Sequence, residues 1–323
     1  MQTNVTNVLK ANPAAIAAAG AAIRAGRLVA FPTETVYGLG ADATNGTAVA
    51  AIFAAKGRPR FNPLIVHVKD VAQATEYALF SQQAEKLARA FWSGALTLVL
   101  PRRPNCRLSQ LVSAGLDTVA LRAPTHPVAI RLIAEAGVPL AAPSANLSGR
   151  VSPTSARHVA EDLDGEVDFI LDGGTTPLGL ESTVIGFEDD KPVLLRPGAL
   201  SREAVERVAG PLGTPRQGVV NSPGRLATHY APRANLRLNA TSVVPGESLL
   251  AFGEDVPAGT HRTLNLSPRG NLAEAAANLF AMLRELDATG AQAIAVMPIP
   301  ADGLGEAIND RLMRAAAPRE VPP

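Results

Sequence analysis

Residues 28–40 read LVAFPTETVYGLG: an apolar run, a polar turn and two glycines. The run LVAF is short and closed by Pro32, the pattern of a buried strand. Beyond it, Thr33, Glu34, Thr35 and Tyr37 place four hydrogen-bonding side chains in five positions, a mixture that packing alone rarely needs. Just upstream, NPAAIAAAGAAIRAG (residues 12–26) reads as a helix with Asn12 as its cap and Pro13 at the first helical position. Helix, strand and polar turn in that order predict an α/β unit whose strand delivers functional side chains at its end.

The alternation continues to residue 210. A helix over about 46–56 precedes the strand PLIVHV. Further strands are ALTLVLP, TVALRAP, VPLAAP, VDFILD, STVIGFE and KPVLLRP, with helices near residues 82–91, 126–136, 154–163 and 201–209. The last two strands follow each other without a helix between them, which predicts a mixed sheet. Residues 211–233, PLGTPRQGVVNSPGRLATHYAPR, show neither period and read as a linker. His229 and Tyr230 ahead of Ala-Pro suit a segment docked on something better than a plain spacer. Beyond it, NLRLN, SLLAFG, HRTLNL, the helix NLAEAAANLFAMLRELDATG, the strand AQAIAVMPI and a helix containing EAINDRLMRAA predict a smaller α/β domain over 234–323, against a first domain of 1–210.

Composition narrows the function. A chain of 323 residues suggests about two domains. The 30 Lys plus Arg against 29 Asp plus Glu leave a net charge of +1, split as 20 minus 19 through residue 210 and 10 minus 10 beyond it. Neither domain carries the field of a nucleic-acid clamp, so no strong nucleic-acid binding is expected. The lone Cys106 excludes an internal disulfide and a cysteine-cluster metal site. The polar start MQTNVTNVLK, and apolar runs all shorter than the roughly 18 residues of a membrane span, predict a cytoplasmic protein.

Three strands end in titratable or cationic residues: His67 in PLIVHV, Arg122 in TVALRAP and Arg196 in KPVLLRP. Singly, each reads as a surface ion pair or a satisfied core group. Together, at the carboxyl ends of strands, they are as consistent with an anion-binding cleft. In KGRPRFNP, Lys56 suits a helix end, but Arg58 and Arg60, set in a turn by Pro59 and Pro63, suit phosphate oxygens. In PSANLSGRVSPTSA, Ser152 and Thr154 serve equally as helix caps, whereas Ser144 and Asn146 come too early for that. The phosphate-loop pattern GxxxxGK[ST], HExxH, the EF-hand and GxSxG are absent. No metal site is expected, and a metal ion would arrive as Mg²⁺ on a nucleotide.

In order along nearly the whole chain, PTETVYGLG, KGRPRFNPLIVH, PSANLSG, ESTVI, LLRPG, SPG followed by HYAP, and GEAINDRL resemble the YrdC-type threonylcarbamoyl-AMP synthases in their longer two-domain form. The resemblance implies a YrdC-like mixed twisted sheet with helices, plus a smaller Rossmann-like α/β domain. It implies condensation of L-threonine, bicarbonate or CO₂, and ATP, carried with Mg²⁺, into threonylcarbamoyl-adenylate and pyrophosphate. The product would serve a tRNA threonylcarbamoyl-transfer machinery as its functional partner. By the same resemblance Thr33, Thr35, His67, Arg122 and Ser182 bind threonine. Lys56, Arg58, Asn62, Thr118, Ser144, Asn146, Ser152 and Arg196 face ATP, with Lys56, Arg58 and Arg196 stabilising its charge. Residues 211–233 form a lid that lays Tyr230 over the nucleotide. Two departures from the family pattern stand out: Arg225, Leu226 and Ala227 in the lid, and Asp310 and Arg314 on what reads as a helix surface. An RNA-binding module and a carbamoyltransferase on the same fold are the competing readings.

Overall fold

The computed structural model describes residues 6–215, 230–259 and 262–318. Helix α1 (Pro13–Arg24) starts as its sequence dictates, since Asn12 Oδ1 accepts from Ala15 N at 2.9 Å and Pro13 fills the first turn. The first domain opens with strand β1 (Asn7–Lys10). After α1 come β2 (Val29–Pro32), β3 (Tyr37–Asp42), α2 (Gly46–Lys56), β4 (Ile65–His67), the short α3 (Val71–Ala74), α4 (Gln82–Phe91), β5 (Leu96–Pro101) and β6 (Thr118–Arg122). It continues with α5 (Pro127–Ala136), β7 (Leu140–Ala141), α6 (Ala156–Leu163), β8 (Phe169–Asp172), β9 (Thr183–Glu188), β10 (Lys191–Arg196) and α7 (Arg202–Ala209).

One ten-stranded sheet orders these strands as β1-β8-β2-β3-β7-β4-β6-β5-β9-β10. It is mixed: β4 and β6 run parallel, while β9 and β10 form the expected antiparallel pair. The polar turn of the opening stretch is shorter than its sequence reading. Tyr37–Asp42, where the sequence predicts no strand, is strand β3, and it folds back antiparallel on β2 with Val29 opposite Gly40. Glycine is a poor strand former, which hid the hairpin. Gly40 is needed because a Cβ there would lie 2.7 Å from the Phe31 ring.

The faces of this sheet differ. On one, α2, α4, α6 and α7 bury a continuous core that includes Ile52, Leu87, Val159 and Val205. On the other, α1 and α5 cover the β8-β2-β7 half through Ile16, Ile23, Leu132 and Phe31. Among the described residues, the remaining half carries the small strand-borne cluster Ile65, Val99, Ala120 and Val184, with Leu195 beside it. Side chains alternate along a strand, so Arg122 and Thr118 share the face of Ala120, and His67 that of Ile65.

The second domain holds β11 (Asn235–Arg237), β12 (Glu247–Ala251), β13 (Thr263–Asn265), α8 (Leu272–Asp287), β14 (Ala293–Val296) and α9 (Gly305–Ala316). Its sheet is parallel in the order β11-β14-β12-β13. The apolar face of α8, with Leu279 and Phe280, shares one core with Val36, Val151 and Leu180 of the first domain. At the same contact, Gly179 of the first domain lies so close to α8 that a Cβ would meet the Ala276 and Ala277 backbone at 2.5 Å. Among the described residues no helix is long and apolar enough to cross a membrane.

Candidate active site

Register brings the first two site residues together. β4 and β6 pair with His67 opposite Arg122, on the half of the face that no helix core covers. The Arg122 guanidinium is then fixed on three sides: Nε donates to Gly94 O at 3.1 Å, Nη1 to Thr35 Oγ1 at 2.9 Å and Nη2 to Glu34 Oε1 at 2.5 Å. Burial alone would raise the Glu34 carboxyl. The Arg122 charge, its hydrogen bond and backbone donors such as Thr125 N on the other oxygen at 3.1 Å together outweigh it, and the pKa falls below the ordinary value.

Thr33 donates to Val36 O at 2.7 Å and lies 2.8 Å from the Thr35 hydroxyl. With the Thr33 proton committed, Thr35 is the donor between the two. Arg122, Thr35, Thr33 and Val36 therefore form one polarised chain that shapes the turn. His67 packs edge-on against Phe31, with ring centroids 6.3 Å apart. Burial, and then the Arg122 charge, push its pKa down to about 3, so the imidazole is neutral.

Ser182 precedes β9, where its hydroxyl meets Thr97 Oγ1 at 2.7 Å and its carbonyl accepts from Arg196 Nη2 at 2.8 Å. Arg58 donates through Nη2 to Pro63 O at 3.0 Å, which ties its own turn. Burial lowers its pKa to about 10, with the Arg196 charge adding to the fall, and it remains a cation at neutral pH. Thr33, Thr35, Arg58, His67, Arg122, Ser144, Ser182, Arg196 and Tyr230 all line one cavity of about 50 Å³. Tyr230, in a left-handed conformation at φ 64°, stacks on Phe280 of α8 at 5.5 Å.

The other expected ATP residues stand elsewhere. Lys56 is buried behind the cavity wall, where Nζ donates to Ser144 O at 2.5 Å and to Asn146 O. Burial pulls its pKa well down. It clamps the 144–146 loop. Asn146 Nδ2 donates to Leu147 O and Arg150 O, at 2.7 and 2.9 Å. Ser152 Oγ is bound to Glu181 Oε1 at 2.5 Å. Thr118 lies four residues before Arg122 and opens onto a second cavity of about 530 Å³, walled by Val99, Val193 and Leu195. His67 Nδ1, Asn62 Nδ2 and Asn146 Oδ1 are buried without a protein partner. Such atoms call for a ligand or water.

Two participants escaped the sequence reading. Glu181 lines the cavity between Ser152 and Arg311, and Arg311 comes from α9 of the second domain. A signal for Arg311 existed: it falls on the buried stripe Ala307, Ile308, Leu312, Ala315 of an amphipathic helix. Asp310 and Arg314, read as helix surface, are half-buried and paired, with Asp310 also accepting from Arg311 Nη1 at 2.6 Å. His229, Arg225, Leu226 and Ala227 lie outside the described residues, as does most of the expected lid.

Comparison with known proteins agrees with this layout. A family model of Sua5/YciO/YrdC domains, described as "Telomere recombination", matches residues 21–198. A second, described as "Threonylcarbamoyl-AMP synthase, C-terminal domain", matches residues 200–317. The threonylcarbamoyl-AMP synthase of Bacillus subtilis (strain 168) is 44% identical over 98% of this chain and 97% of its own. The crystal structure of Pyrococcus abyssi Sua5 complexed with L-threonine superposes with a TM-score of 0.87 at 39% identity, covering 97% of each chain. Escherichia coli YciO, at 24% identity and a TM-score of 0.54 over 61% of this chain, shares the fold of the first domain.

Proposed function

The chain belongs to the Sua5/YciO/YrdC family, in the form that carries the additional C-terminal domain, and from that premise we propose that it is an L-threonylcarbamoyladenylate synthase. It joins L-threonine, bicarbonate or CO₂, and ATP into threonylcarbamoyl-AMP and releases pyrophosphate. The observation that carries this reading is one cavity in which three arginines, a neutral imidazole and a set of hydroxyls converge.

Arg122, oriented by Glu34 and Thr35, holds the threonine carboxylate, and neutral His67 hydrogen-bonds the same substrate without adding charge. Thr33, Thr35 and Ser182 line the space for its hydroxyl. The amine attacks CO₂ as a neutral nucleophile and loses a proton, giving a carbamate. A carbamate oxygen then attacks the α-phosphorus, the bond to the β-phosphate oxygen breaks, and pyrophosphate leaves. Arg58 and Arg196 stabilise the charge that develops there. No side-chain nucleophile is required, and positioning with water exclusion does most of the catalysis.

Nucleotide-sized ligands need roughly 300–1,000 Å³, well above the 50 Å³ under Tyr230. We therefore read Tyr230 as part of a lid that moves for ATP and closes again. The apolar strip Ile65, Ala120, Val99 leads from the arginines to Thr118, a path for ribose and base. Lys56, Asn62, Asn146 and Ser152 support the walls of this groove, and Ser144 faces it. Among the described residues no group of three His, Cys, Asp or Glu side chains could hold a metal ion. Glu181, the carboxylate that lines the cavity, is already held by Ser152 and Arg311, so we assign Mg²⁺ to the phosphates of incoming ATP. The product is short-lived, and we assign its use to a tRNA threonylcarbamoyl-transfer machinery in the cytoplasm.

The test incubates the purified protein with ATP, leaving out threonine and bicarbonate in turn. Pyrophosphate and threonylcarbamoyl-AMP should appear together, and only with all three substrates. ATP consumption indifferent to threonine would rule the reading out.

A further inference from the structure

A buried carboxylate is out of place among arginines that await phosphate, and Glu181 is one. Its neighbours explain it. One oxygen accepts from Ser152 Oγ at 2.5 Å, and the other from Arg311 Nε at 2.8 Å. Arg311 is the largest fully buried side chain, at 0% exposure, and it projects from the last helix of the second domain. Nη2 donates to Pro197 O at 3.0 Å, one residue after Arg196, and the guanidinium lies 5.1 Å over the Tyr230 ring. Among the described residues, every hydrogen bond, ion pair and ring contact that Arg311 makes outside its own helix is thus with a residue that lines the cavity or adjoins one that does. Asp310, beside it on α9, holds Nη1.

We propose that Arg311 is a positioning residue for the adenylation step, through which the second domain completes the active site. By neutralising Glu181 it stops that carboxylate from drawing Arg196 away from the phosphates, and it sets Ser152 and the Tyr230 ring at the same time. Arg196 is the alternative cation, since it lines the same cavity as Glu181 and its charge, after that of Arg311, lowers the Glu181 carboxyl. A buried ion pair broken on one side leaves a charge that must find another partner, whereas removing both charges is tolerated. The inference rests on the proposal that the cavity takes ATP.

The experiment compares Arg311→Met, Glu181→Gln and the double variant with the parent chain. Pyrophosphate release is followed with ATP and threonine varied separately and normalised to folded protein. Arg311→Met should raise KM for ATP about tenfold or more, as loss of a charge-assisted contact does, while KM for threonine moves about twofold or less. Adding Glu181→Gln should bring KM for ATP back to within about threefold of the parent, because the competing carboxylate is gone. If Arg311→Met does not fold, Arg311→Lys replaces it, keeping the charge but losing the fork, with a rise in KM for ATP of about threefold. An unchanged KM for ATP, or a fall in kcat alone that Glu181→Gln does not relieve, overturns the inference. A parent chain that releases no pyrophosphate with threonine and bicarbonate overturns the function proposed above instead.

Discussion

Arg122 is fixed by Gly94, Glu34 and Thr35 before any substrate arrives, so its guanidinium is preorganised. Its position at a strand end was legible in TVALRAP, but its partner Glu34, 88 residues away, was visible only as one polar residue of a turn. We assign Arg58 and Arg196 to the nucleotide. Replacing either with Ala should raise KM for ATP by the equivalent of about 2–3 kcal/mol and leave KM for threonine close to the parent value. Steady-state kinetics with each substrate varied would check this, and an unchanged KM for ATP in both variants would remove them from the phosphate site. His67 yields a prediction in pH. Its folded pKa of about 3 lies below the ordinary 6.5, so as pH falls the unfolded chain takes up the proton first. The stability His67 contributes is complete above about pH 6.5 and is lost toward pH 3, at up to about 1.4 kcal/mol per pH unit. Urea unfolding of His67→Gln between pH 6 and 5 should therefore be flatter with pH than that of the parent, by about 1 kcal/mol per unit. Parallel slopes would mean that the imidazole is not buried neutral.

The β2–β3 hairpin is the element that sequence reading half recovered. LVAF announced β2, while Gly38 and Gly40 disguised β3, because the residues that let the Phe31 ring lie flat on the strand are the ones that lower strand propensity. Gly40→Ala should destabilise the fold by about 1–3 kcal/mol, read as a lower urea midpoint with an unchanged slope. A neutral result would require Phe31 to have room that the buried ring does not show. Tyr230, within the linker, gives the second test at this scale. If Tyr230 closes the nucleotide under a lid, Tyr230→Ala should leave the melting temperature near that of the parent, to within about 3 °C. It should also lower the yield of threonylcarbamoyl-AMP per ATP consumed. An identical yield would reduce the segment to a tether.

At the scale of the molecule, the two domains share a core and, among the described residues, ion pairs made by three arginines. Val36, Val151 and Leu180 pack with Leu279 and Phe280 of α8, while Arg202 pairs with Glu306, Arg284 with Asp162 and Arg311 with Glu181. A chain ending at residue 210 should still fold, because its ten-stranded sheet is complete by Arg196. It should melt earlier than the full chain and make less adenylate per ATP. Circular dichroism and the product assay would check both, and an unfolded fragment would show that the first domain depends on the second. The sequence by itself determined the alternation of helices and strands, the mixed sheet and the strand-end cations, because periodicity, capping and strand composition are local properties of the chain. It also carried the family resemblance, which named Thr33, Arg58, His67, Arg122 and Arg196 in advance. Only the tertiary structure decided that Lys56 braces a loop, that Thr118 faces a second cavity and that Arg311 reaches Glu181 from 130 residues away. The reason is physical: where a charged side chain ends depends on register and on the packing of distant elements, and no local pattern records either.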